Sequence, residues 1–131
     1  MFGSGAFDYV DVLKTATDAA YYRNELISNN IANVDTPGYK RKDVEFEEHL
    51  YRAIESAGKP NDSLTKKVHN VDLSDARMVT YVDNANLSYR IDDNNVDIAT
   101  EEVELATNQL VYNGLIDSMT HEFSRIKSVL T

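Results

Sequence analysis

The chain has 131 residues, 42% of them hydrophobic, which is apolar material for one modest core and makes a single domain the starting expectation. With 22 acidic against 13 basic side chains the formal charge is -9, a balance that repels phosphate backbones and anionic membranes and sets nucleic acid aside as a partner. Without cysteine there is neither a disulfide framework nor a thiolate metal site, and no apolar run nears the roughly 20 residues of a membrane span. The start, Met1 to Val10, lacks the basic-then-apolar layout of a cleavable signal, so the chain reads as soluble and unprocessed.

The first element runs from Phe7 to Val34 without Pro or Gly. Val10, Leu13, Thr17, Ala20, Asn24, Ile27, Ile31 and Val34 recur at alternating steps of three and four, the stripe of a long amphipathic helix. Thr17 and Asn24 are polar seam residues that weaken such a pairing while fixing its register. Thr36-Pro37-Gly38 should end this helix sharply: Pro37 pushes Thr36 out of the helical region, and Gly38 can take the positive φ of a type II turn.

The middle, residues 35–96, has a different texture. Phe46, Leu50, Ala53, Ile54 and Ala57 predict a short helix over 46–57, and Gly58 to Ser63 reads as an exposed loop. Lys67 to Leu73, Arg77 to Val82 and Leu87 to Ile91 hold β-branched and aromatic residues in short runs and are read as strands or extended arms.

The last element, Ile98 to Leu130, repeats the helical spacing as Leu105, Gln109, Tyr112, Ile116, Met119, Phe123, Ile126 and Leu130. Asp97 is a candidate N-cap, acidic residues lead, and Arg125 and Lys127 lie near the end, in agreement with the helix dipole. The expected fold is therefore mainly α: two long terminal helices pair as a coiled-coil-like bundle, with a small irregular or β insert between them. Residues 1–34 and 97–131 form one helical domain, and 35–96 hold the elbow, the short helix and the insert. Polar seams would hold a lone hairpin weakly, so both helices would gain by packing against neighbouring subunits.

Chemistry has little to work with. His49, His69 and His121 form no ligand pair at helical spacing, and there is neither a Gly-x-Ser-x-Gly elbow nor a phosphate-cradling glycine loop. Asp93, Asn95, Asp97 and Glu104 fall at the first, third, fifth and twelfth positions of a calcium loop, but Ile98 stands where glycine must turn, so a polar turn leading into an N-cap is the better reading. The sequons at Asn61 and Asn86 are short enough to arise by chance. No catalytic residue, metal ligand or cofactor is assigned.

One segment asks for more than a core helix needs. Asn29-Asn30-Ile31-Ala32-Asn33 places three poor helix formers at a helix end, where carboxamides can bond to backbone as the chain leaves the helix or reach a neighbouring subunit. With Val34-Asp35-Thr36-Pro37-Gly38-Tyr39-Lys40-Arg41 it resembles the signature of flagellar rod and hook proteins. Within that family, Asp43-Val44-Glu45-Phe46, Asn94-Asn95-Val96-Asp97-Ile98 and the short length resemble the proximal-rod members. Asn108-Gln109-Leu110-Val111-Tyr112 stands where distal rod and hook members carry Gln-Arg-Ala-Tyr-Glu.

The resemblance implies a structural subunit, not an enzyme. It would be exported through the type III apparatus and assemble with copies of itself, other rod proteins and a FliE-type adaptor at the membrane ring. It would stand in the basal body, within the cell envelope and periplasmic in a two-membrane cell. The elbow, Asn29 to Asn33 with Thr36 to Lys40, carries the motif. The expected assembly interface is Val10, Leu13, Ile27, Ile31, Leu105, Tyr112, Ile116, Met119, Phe123 and Ile126. Phe46 and Leu50 have the spacing of an export signal, but an i, i+4 packing pair accounts for them as well. A free coiled-coil adaptor or export-chaperone-like module is the alternative that the helices alone would permit.

Overall fold

The structure, a computed structural model, describes residues 4–85 and 90–131. Two long helices frame it: α1, Ser4–Ala32, and α4, Ile98–Leu130, at 29 and 33 residues. They run antiparallel, since Thr17 meets Met119, Ala20 meets Asn108 and Asn30 meets Glu101. Polar atoms line their seam: Thr17 Oγ1, which donates to the Leu13 carbonyl at 2.7 Å, lies 3.5 Å from Met119 Sδ, and buried Asn108 fixes the register by donating Nδ2 to the Ala20 carbonyl at 2.8 Å. Asp97 caps α4 by accepting from the amides of Ala99 and Thr100, satisfying donors that the first turn leaves free. Among the described residues no helix is long and apolar enough to cross a membrane.

Between the long helices lie β1, Lys42–Glu45; α2, Glu47–Ser56; α3, Leu64–Asn70; a short 3-10 turn, Leu73–Asp75; and β2, Val79–Val82. β1 and β2 pair antiparallel with Lys42 opposite Val82 and Glu45 opposite Val79. The short predicted helix is α2, with Phe46 as its N-cap residue. Phe46 is buried against Ala19 of α1 and Ala53 and Ala76, and Leu50 packs on the same cluster. Burying that ring contributes roughly 1.5–3 kcal/mol, and the small alanines of α1 let the insert sit close. Phe46 and Leu50 are thus a packing pair.

Three expectations change. Lys67 to Leu73, read as extended, begins as helix α3, because Ser63 accepts from the Lys66 amide and starts a turn that turns Val68 into the interior. Lys67 is buried there with its ammonium 3.0 Å from Glu55. β1 was not foreseen as a strand; it forms because β2, expected within 77–82, supplies its partner. Of the run 87–91, residues 87–89 lie outside the described residues, and Ile91 is in a turn.

Candidate functional site

The elbow is where the sequence departs most from ordinary core chemistry. α1 ends at Ala32, and the chain turns through Thr36-Pro37-Gly38-Tyr39 with the Tyr39 amide donating to the Thr36 carbonyl at 3.2 Å. Gly38 has φ 73°, as the type II turn requires, and its amide donates to the Asp92 carbonyl at 2.6 Å.

Asn30 is fully buried and its side chain is saturated. Nδ2 donates to the Lys42 carbonyl at 2.8 Å and to Glu101 Oε2 at 3.2 Å, while Oδ1 accepts from the Lys42 amide at 2.9 Å and the Tyr39 hydroxyl at 3.1 Å. One carboxamide therefore ties α1, the elbow, β1 and α4 together. Asn33 performs the local part: its Nδ2 donates to the Asn29 carbonyl at 2.7 Å, and its Oδ1 accepts from Thr36. Asn29 points outward, Ile31 is half-buried, and Ala32, Thr36 and Pro37 are exposed.

The other half of the knot comes from the segment before α4. Asn94 donates Nδ2 to the carbonyls of Asn33, Val34 and Thr36, taking up carbonyls at the end of α1 and in the turn that follows. Asn95 accepts from the Arg41 amide at 2.7 Å and donates to the carbonyls of Asp83 and Ala85. Lys40 donates to the Asp93 carbonyl, which fixes a residue at φ 61°. The calcium-like spacing of Asp93, Asn95 and Asp97 is thus explained: Asn95 and Asp97 already serve backbone groups. Among the described residues no three His, Asp or Glu side chains gather as a metal would need.

Arg41 and Glu101 close the site. Arg41 Nε donates to Glu101 Oε1 at 2.6 Å, and its terminal nitrogens reach Asp83 at 3.2 Å and Asp43 at 3.3 Å. Burial alone would lower the guanidinium, but the hydrogen bond and charge of Glu101, joined by Asp83 and Asp43, raise it above its ordinary value. Burial, with the Glu101 charge second, also raises the Tyr39 hydroxyl. Sequence reasoning left Glu101, Asn94 and Asn95 out of the site. The available signal was Glu101 itself, a carboxylate four residues before Leu105 on the stripe of a long helix.

The expected interface residues divide into two sets. Val10 and Ile27 are buried, and Leu13, Ile31, Leu105, Tyr112, Met119 and Ile126 are half-buried on the α1–α4 seam. Ile116 and Phe123 are not: they stand 37% and 48% exposed on a flank of α4 that Leu130 continues, while Val103 and Leu110 stand exposed on the side of α4 away from the seam. The inward positions next to them are Asn108, Leu115 and Glu122.

A family model described as flagella basal body rod protein matches residues 13–40, the greater part of α1 and the elbow. The chain is 36% identical over 120 residues to the flagellar basal body rod protein FlgB of Bacillus subtilis (strain 168), covering 91% of this chain and 90% of that one. It is 34% identical over 131 residues to FlgB of Borrelia hermsii, covering 92% and 94%. A shorter match, 47% over 57 residues, joins 41% of this chain to 22% of the flagellar basal-body rod protein FlgG of Caulobacter vibrioides.

Proposed function

Since the chain belongs to the FlgB family of flagellar basal body rod proteins, we propose that it builds the proximal rod by packing the outer face of α4 against neighbouring subunits. It is a structural subunit of the flagellar basal body. The terminal helices act as one assembly domain, with residues 35–96 as an insert braced by the elbow, and the assembled rod carries motor torque.

The supporting observation is the apolar surface that α4 leaves uncovered. α4 buries one face on α1 and leaves apolar side chains uncovered on two other sides, Ile116 and Phe123 at 37% and 48% exposure on one flank and Val103 and Leu110 at 65% and 73% away from the seam. Large apolar side chains gathered on one helix mark an interaction surface. Its partners are copies of this chain and other rod subunits; FlgG, to which 41% of this chain is similar, is one kind. A FliE-type adaptor would contact the membrane-ring end, the type III apparatus would deliver the chain, and in a two-membrane cell the rod stands in the periplasm. A free coiled-coil adaptor or an export chaperone would use the same hairpin, but relatives along most of the chain are rod proteins.

The test is Ile116→Asp in swimming cells, with the adjacent exposed Asp117→Asn as control. An unpaired carboxylate in a desolvated contact costs several kcal/mol. Ile116→Asp should give exported but unincorporated subunit and cells without filaments, and Asp117→Asn should be silent. Normal flagella with Ile116→Asp would remove the outer face from the interface.

A further inference from the structure

Gly38 supplies a positive φ, but Gly114 stands in the interior of α4, where glycine weakens a helix. A Cβ there would meet nothing within 4 Å, so no contact within the described chain calls for glycine. What Gly114 does change is the reactivity of the residue before it. Asn113-Gly114 is the one Asn-Gly pair in the sequence. Every other asparagine is followed by a residue whose side chain obstructs attack of its amide nitrogen on the carboxamide.

Asn113 and Gly114 are both exposed, so water reaches them, but the helix keeps the reacting atoms apart. Helical geometry gives the Gly114 amide to the Leu110 carbonyl and turns that nitrogen away from the Asn113 side chain. Gln109 Nε2 donates to Asn113 Oδ1 at 3.2 Å, which holds the carboxamide over the preceding turn. The seam beside this turn is loosely closed. Asn24 Oδ1 is buried without a partner, and Asn24 shares a cavity of about 180 Å³ with Tyr21, Gln109 and Tyr112. An unfilled contact and an unpaired acceptor both lower the free energy needed to open a helix locally.

We propose that Asn113 is a self-modification site gated by α4, converting to aspartate and isoaspartate while the helix is open and standing intact while it is closed. In the open chain the Gly114 nitrogen gives up its proton and bonds to Asn113 Cγ. The Cγ–Nδ2 bond breaks, and ammonia leaves from a five-membered imide. Water then opens the imide at either carbonyl. Cleavage at Cγ leaves aspartate in a normal backbone, and cleavage at the main-chain carbonyl leaves isoaspartate, with the backbone routed through Cβ and Cγ. In each case a carboxamide and water become a carboxylate and ammonia, with no change of oxidation state. The extra backbone atom of isoaspartate breaks the hydrogen-bond ladder, so α4 cannot close again through residue 113 and its second half, which carries Met119 and Ile126, is cut from the seam. The chain thus keeps a chemical record of the time that it spends with α4 open.

The experiment holds the full chain at neutral pH in buffer and in unfolding urea and follows its peptides by mass for carboxamide loss and for isoaspartate. In urea Asn113 should convert ahead of every other asparagine, and in buffer it should convert about tenfold more slowly or less. Gly114→Ala should suppress the reaction in urea. Met119→Ala, which loosens the seam without touching the pair, should speed the reaction in buffer and leave it unchanged in urea. If that variant no longer folds, a series of low urea concentrations on the unaltered chain decides, because the rate should climb in step with opening. The isolated isoaspartyl chain should show a loss of helical circular dichroism that Asn113→Asp does not. Equal rates in buffer and urea, no preference for Asn113 in urea, a rate in buffer that neither the variant nor low urea raises, or unchanged helicity of the isoaspartyl chain would each overturn the proposal.

Discussion

Asn30 and Asn29 are neighbours in one motif with opposite physical roles. Asn30 is wholly buried and serves Lys42, Tyr39 and Glu101, whereas the Asn29 side chain faces solvent. Asn30→Ala would strand those partners without replacement and should cost about 2–4 kcal/mol. Asn29→Ala should stay within about 0.5 kcal/mol, since an exposed position only exchanges one helix propensity for a better one. Urea unfolding of the two variants checks the contrast. Gly38 is different again. A Cβ there would meet nothing within 4 Å, so the penalty of Gly38→Val is torsional alone. Roughly 1–3 kcal/mol of strain is expected, with reduced swimming at unchanged export, and Gly38→Asn should recover part of the loss because Asn tolerates the left-handed region.

On α4 the residues Leu115 and Ile116 offer the sharpest comparison between adjacent positions. Leu115 is half-buried toward α1 and Ile116 stands outside, so Leu115→Asp should lower the stability of the isolated chain by about 2–4 kcal/mol. Ile116→Asp, at a position the isolated chain leaves 37% exposed, should lower that stability less, by about 1 kcal/mol, and act mainly on assembly. The sequence made α4 itself readable to its ends, through Asp97 and an uninterrupted helical period. It showed only part of the seam. Leu105, Tyr112, Met119 and Ile126 belong to it, but apolar Ile116 and Phe123 draw a reader one position away from the partners that point inward, which include polar Asn108 and Glu122. The same effect hid α3, where Val68 and Val71 suggest a strand although Ser63 caps a helix, and it hid β1, whose pairing depends on a strand far along the chain. Half the elbow was legible as an Asn-rich helix end. The other half was not, because Asn94, Asn95 and Glu101 come to it only through the fold.

For the molecule as a whole, an excess of acid does not leave every carboxylate alike. The Arg23 guanidinium, through its hydrogen bond, holds Glu47 below the usual carboxylate range against the opposing effect of burial. Asp83 is lowered first by the Ala85 amide, with Arg41 adding to it. Groups lowered on folding give their full stability above the ordinary carboxylate range and lose it as pH falls through their folded values. The urea midpoint should therefore be nearly flat from about pH 7 to 5 and decline below about pH 4.

Whether the outer face of α4 is buried by neighbouring subunits in the rod is the central question, and the absence of native cysteine makes it directly measurable. A Phe123→Cys chain that still supports swimming should react readily with a maleimide as purified monomer, as its 48% exposure implies. In isolated basal bodies the same thiol should be protected. Equal labelling in monomer and assembled rod would contradict this account of how the subunit builds the rod.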